Sequence, residues 1–332
     1  MKILFLALAT FGFASLACGQ SLSDLKAHYS GQTEWDAQAG SLTFVSSGTI
    51  DFHRDKEMSG IWTVPPEVKR IVIAASVRVT GQFTLDHDCT VEGRDWETSV
   101  LYGTDTPALL HDRKLDGGGG CMPYSAVFAQ GKVEVHVRNL TTLNPMAYMW
   151  TGTWNARIHL DHVRGIDNRG GWYNHSDGIQ GGRGCTVRNC YLETGDDAIK
   201  VYSDIFVEDT TIKMIQNCVP IQLGWGNYGS GAQGVFRNLT IIGERGRGRV
   251  PPVIEGTHGK YRKTIKIDGL VVNNPNSALV RLHEKDMELE LTITGADITV
   301  KQFAYESPGV CHSVINGSQE QKSRYPAEKP KP

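Results

Sequence analysis

Three carboxylates mark where this chain could do chemistry. Asp177 stands in the run Asn174-His175-Ser176-Asp177-Gly178-Ile179-Gln180, and Asp196 and Asp197 are adjacent in Thr194-Gly195-Asp196-Asp197-Ala198-Ile199-Lys200. Their flanks repeat: Asp177-Gly178-Ile179-Gln180 and Asp197-Ala198-Ile199-Lys200 form one pattern 20 residues apart, and Val219-Pro220-Ile221-Gln222 continues it without the acid. Repetition at this period is what the stacked coils of a solenoid produce, so distance along the chain becomes a neighbour relation in space. Asp177 and Asp197 then stand one above the other, about 4.8 Å apart, with Asp196 beside them. Carboxylates this close repel, and one of them is driven to keep its proton near neutral pH. A protonated acid beside a pair that can share one water suits hydrolysis of a glycosidic bond with inversion. Asp196 is then the general acid, and Asp177 with Asp197 the water-activating base. A lone Asp-Asp pair more often caps a turn; the third acid in register one coil away is what favours catalysis.

The elements that must position these acids are short strands. Met149, Ile179, Ile199, Ile221, Ile254 and Val280 form an apolar column that points inward, and strand alternation turns their neighbours outward together. The outward column reads Trp150, Gln180, Lys200, Gln222, Glu255 and Arg281. A groove lined by polar groups and aromatics suits an extended polysaccharide, whose sugar rings have apolar faces. The expected substrate-binding residues are Trp150, Asn174, Gln180, Lys200, Tyr202, Gln222 and Trp225. Outward polar ladders also occur as plain scaffold, so Gln180 and Gln222 alone do not separate the two roles.

From Val133 onward a second pattern recurs, apolar residues at alternate positions followed by a polar residue or glycine. Its anchors are Asn139, His162, Asn189, Asp209, Asn238, Gly269 and Gly295, spaced by 20 to 31 residues. Alternation argues short strands, and each anchor marks a sharp bend. The expected fold is all-β, a single-domain right-handed parallel β-helix of the pectin-lyase-like kind. Leucine-rich spacing and propeller signatures are absent. The expected divisions are a secretion signal over 1–19, an N-terminal cap over 20–60, the catalytic β-helix over 61–315 and a disordered polar tail over 316–332.

Bulk properties narrow the partners. The 332 residues carry a formal net charge of −2, which gives no electrostatic attraction to nucleic acid or to an anionic membrane. Lys2, the apolar run after it and the small residues Ala17 and Gly19 read as an export signal, so the expected location is secreted or periplasmic. Leu16-Ala17-Cys18 half resembles a lipid-attachment site; lipidation at Cys18 would make an outer-surface lipoprotein, the one route to a membrane. Cys89, Cys121, Cys185, Cys190, Cys218 and Cys311 follow the signal, an even set that in an exported chain points to some disulfide pairing. No metal-ligand spacing accompanies them, and no cofactor is expected.

At Asp177 and the Asp196-Asp197 pair the chain resembles the β-helical inverting glycoside hydrolases. Thr194-Gly195-Asp196-Asp197-Ala198-Ile199-Lys200-Val201-Tyr202, followed by Cys218-Val219-Pro220-Ile221-Gln222-Leu223-Gly224-Trp225, is most similar to glycoside hydrolase family 49, the dextranase and isopullulanase family. The family 28 polygalacturonases are more distant. They carry a Gly-His-Gly shortly after the acid pair and an Arg-Ile-Lys that holds a uronate, and this chain has neither. The resemblance covers roughly residues 130 to 290 and implies the same assignment of the three acids. It implies a secreted enzyme acting on a neutral α-glucan such as dextran or a related glycan. Two rival readings are a polysaccharide lyase, which wants a charge neutraliser and a basic residue at an acidic sugar, and a non-catalytic glycan-binding β-helix.

Overall fold

The computed structural model describes residues 20–52, 60–105, 122–170, 176–243 and 250–321. The expected export signal, Cys18 within it, Cys121 and the end of the chain past 321 lie outside these residues. The chain coils as a right-handed parallel β-helix. One stack of strands runs from Ile61–Thr63 through Gln82–Leu85, Val127–Ala129, Trp150–Gly152, Ile179–Gln180, Ile199–Lys200 and Ile221–Trp225 to Pro252–His258, all paired in parallel. We call this the site stack. The two other walls share long strands that bend midway, among them Glu134–Leu143, Arg157–Ile166 and Gln233–Ile242.

The bends fall at the anchors read from sequence. Asn139, His162, Asn189, Asp209 and Asn238 have φ between 48° and 53°, and Gly269 and Gly295 have φ of 75° and 60°. One residue in this left-handed region turns a strand without ending its pairing, and Asn, Asp and Gly tolerate it best. The anchors also bond along the stack: the Asn189 amide donates to Asp161 Oδ1 at 2.9 Å and the Asn238 amide to Asp209 Oδ1 at 2.8 Å.

Inside the coils, Trp62, Phe83, Val127, Trp150, Ile179, Ile199, Ile221, Ile254 and Val280 lie in one register, and none is more than 1 % exposed. Each such side chain contributes about 1.5–3 kcal/mol of burial. This register corrects the sequence reading at Trp150. Trp150 pairs with Ile179 and Thr151 pairs with Gln180, so Trp150 points into the core and Thr151 takes the outward place. The expected alignment is one residue out of step at this coil, and such a slip reverses the face of every side chain it touches.

Both ends depart from the expected divisions. Ser21 caps the helix Leu22–His28 in a reciprocal box with Asp24, and Leu25 is buried beneath it. The antiparallel hairpin Thr33–Asp36 with Ser41–Phe44 follows. Ser41–Phe44 already pairs in parallel with Arg70–Ile73, so coiling starts inside the segment expected to be cap alone. At the other end Val310–Ile315 pairs antiparallel with Ser318–Gln321, so 316–321 is not part of a disordered tail. The link is Asn316-Gly317, with φ of 48° and 81°, a pair suited to a tight two-residue turn.

The expected disulfides are not formed among the described cysteines: Cys89, Cys185, Cys190, Cys218 and Cys311 are buried free thiols. Each fills space within the coils as a small apolar side chain, and burial pushes the Cys89, Cys190, Cys218 and Cys311 thiols up to about 12.

Candidate active site

The acids enter the site stack just before its strands, and backbone bonds fix their levels. The Gly178 amide donates to Asp197 O at 2.9 Å, and the Met149 amide to Asp177 O at 2.7 Å, so the coils of Asp177 and Asp197 are direct neighbours. Gly178 is required there, because a Cβ on it would collide with Ala198 O. Ser176 Oγ accepts from the Gly195 amide at 2.8 Å and ties the turn before Asp177 to the turn before Asp196. The Asp-Gly-Ile-Gln sequence thus makes the close approach that puts three carboxylates together.

All three acids are buried, at 4 % exposure for Asp177, 8 % for Asp196 and 2 % for Asp197. Their surroundings differ. Lys200 Nζ is ion-paired to Asp177 Oδ2 inside the protein. Burial opposes that ammonium, but Asp177, then Tyr148 and Asp197, hold it charged and raise its pKa overall. Asp197 receives Gln222 Nε2 on Oδ1 at 3.2 Å and Trp225 Nε1 on Oδ2 at 3.1 Å. Burial still pushes it up to about 7, with Lys200 pulling back. Asp196 is pushed well above the usual carboxylate range, by burial first and then by the charges of Asp177 and Asp197. Its Oδ1 accepts from the Asp197 amide at 3.0 Å and from Asn217 Nδ2 at 3.2 Å.

Three of the expected substrate contacts, Gln222, Lys200 and Trp225, bond to the acids. Gln222 has no exposed surface; its amide nitrogen bridges Asp197 Oδ1 and Thr257 Oγ1, and its oxygen accepts from the Gly224 amide. Lys200 is 6 % exposed and committed to Asp177. Gln180 lies under the turn Met122–Tyr124, with Nε2 at 3.0 Å from Met122 Sδ. Tyr202 is buried beneath Tyr228, ring centroids 4.9 Å apart. Trp225 stays at the surface, 48 % exposed. Trp150 is core, as its register requires, and Asn174 lies outside the described residues. Strand alternation told which way these side chains point, but not how deep the surrounding turns bury them.

Other residues at the site carried no such pattern. Asn217 comes from the turn before Pro220 and reaches back one coil to Asp196. Tyr148 lies under the Lys200 ammonium, 4.4 Å from Nζ to the ring centroid. Further along the stack Glu255 meets His283 Nε2 at 2.5 Å, and Arg281 reaches Glu306 at 2.7 Å. The available signal was register: Tyr148 precedes Met149 as Asp177 and Asp197 precede the residues beside their strands, so it shares the acids' column.

No protein-family model matches the chain. Its sequence is similar to the dextranase of Arthrobacter sp. (strain CB-8), 24 % identical over 261 residues, and to the dextranase of Arthrobacter globiformis, 23 % identical over 261 residues. Each match takes in 74 % of this chain and 37 % of the relative, so the chain spans well under half the length of the curated relatives it matches. Among solved structures its fold is similar to Dex49A from Penicillium minioluteum, with a TM-score of 0.51 at 14 % identity, covering 78 % of this chain and 55 % of that one. The sequence likeness is thus to dextranases and the likeness to Dex49A one of fold, in agreement with the resemblance to glycoside hydrolase family 49 in the motifs around the three acids.

Proposed function

We propose, from this resemblance to glycoside hydrolase family 49 and from the environment of the three acids, that the protein is a polysaccharide-degrading glycoside hydrolase. In this reading it inverts the anomeric centre and acts on a neutral α-glucan such as dextran. The observation that carries it is the division of one carboxylate cluster into two electrostatic kinds. Asp196, pushed up by burial and by both neighbours, keeps the proton that the leaving oxygen needs. Asp177 is paired with a charged lysine, and Asp197, pushed up to about 7 by burial, takes two neutral donors and feels the same lysine, so it gives up its proton near neutral pH. Asp177 Oδ1 is buried and accepts no hydrogen bond from a described residue, which leaves an acceptor for the attacking water. As the glycosidic bond lengthens, Asp196 protonates the leaving oxygen while Asp177 and Asp197 take a proton from the water, which adds to the opposite face of the sugar.

The same geometry disfavours a lyase. Lys200 is the basic residue among the acids, and Asp177 holds it protonated, so it makes a poor base for β-elimination. We read residues 1–19 as an export signal, which suits a polymer that cannot enter a cell. The test is release of reducing ends from dextran, pullulan and polygalacturonate by the wild-type protein and by Asp196→Asn. Release from dextran that falls by at least about a hundredfold in the variant supports the proposal, since a general acid is worth about 10²–10⁴-fold. Release that the variant leaves intact contradicts the assignment of Asp196. Binding without release by the wild type would favour the glycan-binding reading.

A further inference from the structure

Among the described residues Trp154 and Trp225 are the exposed large aromatics, and both border the site stack. Trp225 is bonded to Asp197, but nothing in the catalytic scheme uses Trp154. It sits on the corner after Trp150–Gly152 with 49 % of its surface exposed. Behind it stand two tyrosines from the matching corners of later coils: Tyr228 at 5.6 Å and Tyr202 at 6.4 Å between ring centroids. The two tyrosines stack on each other at 4.9 Å.

This cluster is held with unusual firmness for a surface corner. Lys263 is fully buried, and its ammonium donates to Val201 O, Tyr228 O and Gly229 O, each at 2.9 Å. One buried cation thus clamps the corner of Tyr228 to the corner of Tyr202. Burying an ammonium is costly even when it is well bonded, so a surface loop that needs only to cover the core has little use for one. Two glycines permit the approach. Gly229 has φ of +50° and a Cβ there would collide with Tyr202 O; a Cβ on Gly182 would collide with Trp154 O. The result is an exposed aromatic on a rigid backing, joined through Tyr202 to the Lys200 ammonium 5.7 Å above its ring.

We propose that Trp154, backed by Tyr228 and Tyr202, is a sugar-stacking subsite for a pyranose residue of the polymer, remote from the bond that is cut. The proposal rests on the hydrolase reading above. A neutral pyranose presents an apolar face of C–H groups that matches an indole; Lys200 and Lys263 are both committed inward, and Arg183, which follows Gly182 beside this corner, is paired with Asp204. The Tyr202 ring stands 5.7 Å from Lys200 Nζ, which pairs with Asp177, and Trp154 lies beyond it with ring centroids 6.4 Å apart, so a ligand must extend past the sugar at the acids to reach Trp154. Trp154 therefore governs affinity for long chains and leaves the chemical step alone.

The experiment uses Asp196→Asn as background, so that ligand is bound and not consumed, and titrates isomalto-oligosaccharides of two to eight glucose units by calorimetry. Adding Trp154→Ala is expected to weaken the longest on the order of tenfold and to leave the shortest unchanged, while Trp154→Phe keeps most of the affinity. In the active protein Trp154→Ala raises KM for dextran and spares kcat. Near-ultraviolet circular dichroism confirms that the variants are folded. Equal affinities at every length, with and without the Trp154→Ala substitution, overturn the subsite and leave the hydrolase reading standing. Failure of the folded Asp196→Asn protein to bind any of these glucans overturns both.

Discussion

Asp196 and Asp197 are acids in a place that disfavours their charge, and that has a price in stability which can be measured. An acid with a higher pKa in the folded than in the unfolded chain binds its proton more tightly when folded. It favours folding below the unfolded value, near 3.9, and that contribution is lost as pH rises through the folded value, about 7 for Asp197. Asp197→Asn removes the charge but keeps the shape. Its melting temperature is expected to exceed that of the wild type above pH 7, by at least about 2 °C, and to converge with it near pH 4. Calorimetry across that range checks this, and a gap independent of pH would contradict it. Lys200 works in the other direction, since its charge lowers the pKa of both Asp196 and Asp197. Lys200→Met is expected to cost about 3–5 kcal/mol by leaving Asp177 unpaired. It also moves the acidic limb of the pH–rate profile to higher pH, because the base then ionises later. An unmoved limb would mean that Lys200 does not govern the base. At this scale the three acids were legible because two of them repeat with their flanks. The supporting residues were less so: Asn217 comes from a turn whose path no short motif records, Tyr148 shows only once the register at Trp150 is set correctly, and the depth of Gln222 depends on Thr257, a coil away.

The strands and their bends were the most legible elements, because a left-handed residue at every turn leaves a chemical trace. Asn, Asp, His and Gly recur at the anchors since other side chains strain there. Asn189 tests this directly. Asn189→Gly loses only an exposed amide bond to Asp161, whereas Asn189→Val must also adopt φ near 53° with a branched side chain. Chemical denaturation is expected to find the valine variant less stable than the glycine variant by about 1–2 kcal/mol. Equal stability would mean that the bend relaxes without strain. The misreading of Trp150 also belongs to this scale. Met149 and Trp150 are both apolar, so the residue types left the register open by one position, and only the pairing with Ile179 and Gln180 decides it.

Across the whole molecule the β-helix is a one-dimensional stack whose ends need covering. The helix Leu22–His28 and the strand Thr33–Asp36 lie against the first coil, and the hairpin at Asn316-Gly317 closes the last described one. The sequence hid both boundaries, since a cap is irregular by nature and a short hairpin inside a polar run gives little alternation. A chain that starts at Ser41 would bare the edge of Ser41–Phe44. It is expected to associate, seen as a rise in mass by light scattering, and to melt at lower temperature than the full chain. A monomer with an unchanged melt would show that the first coil needs no cover.

The central claim is that one acid donates a proton while two others deliver water from the opposite side, and the anomer formed first reports on it. Proton magnetic resonance of dextran in the first minutes of digestion resolves the new reducing ends before they mutarotate. Appearance of the β anomer from the α-linked chain is the predicted result. Appearance of the α anomer would mean retention through a covalent intermediate, and would contradict the joint role of Asp177 and Asp197 as base.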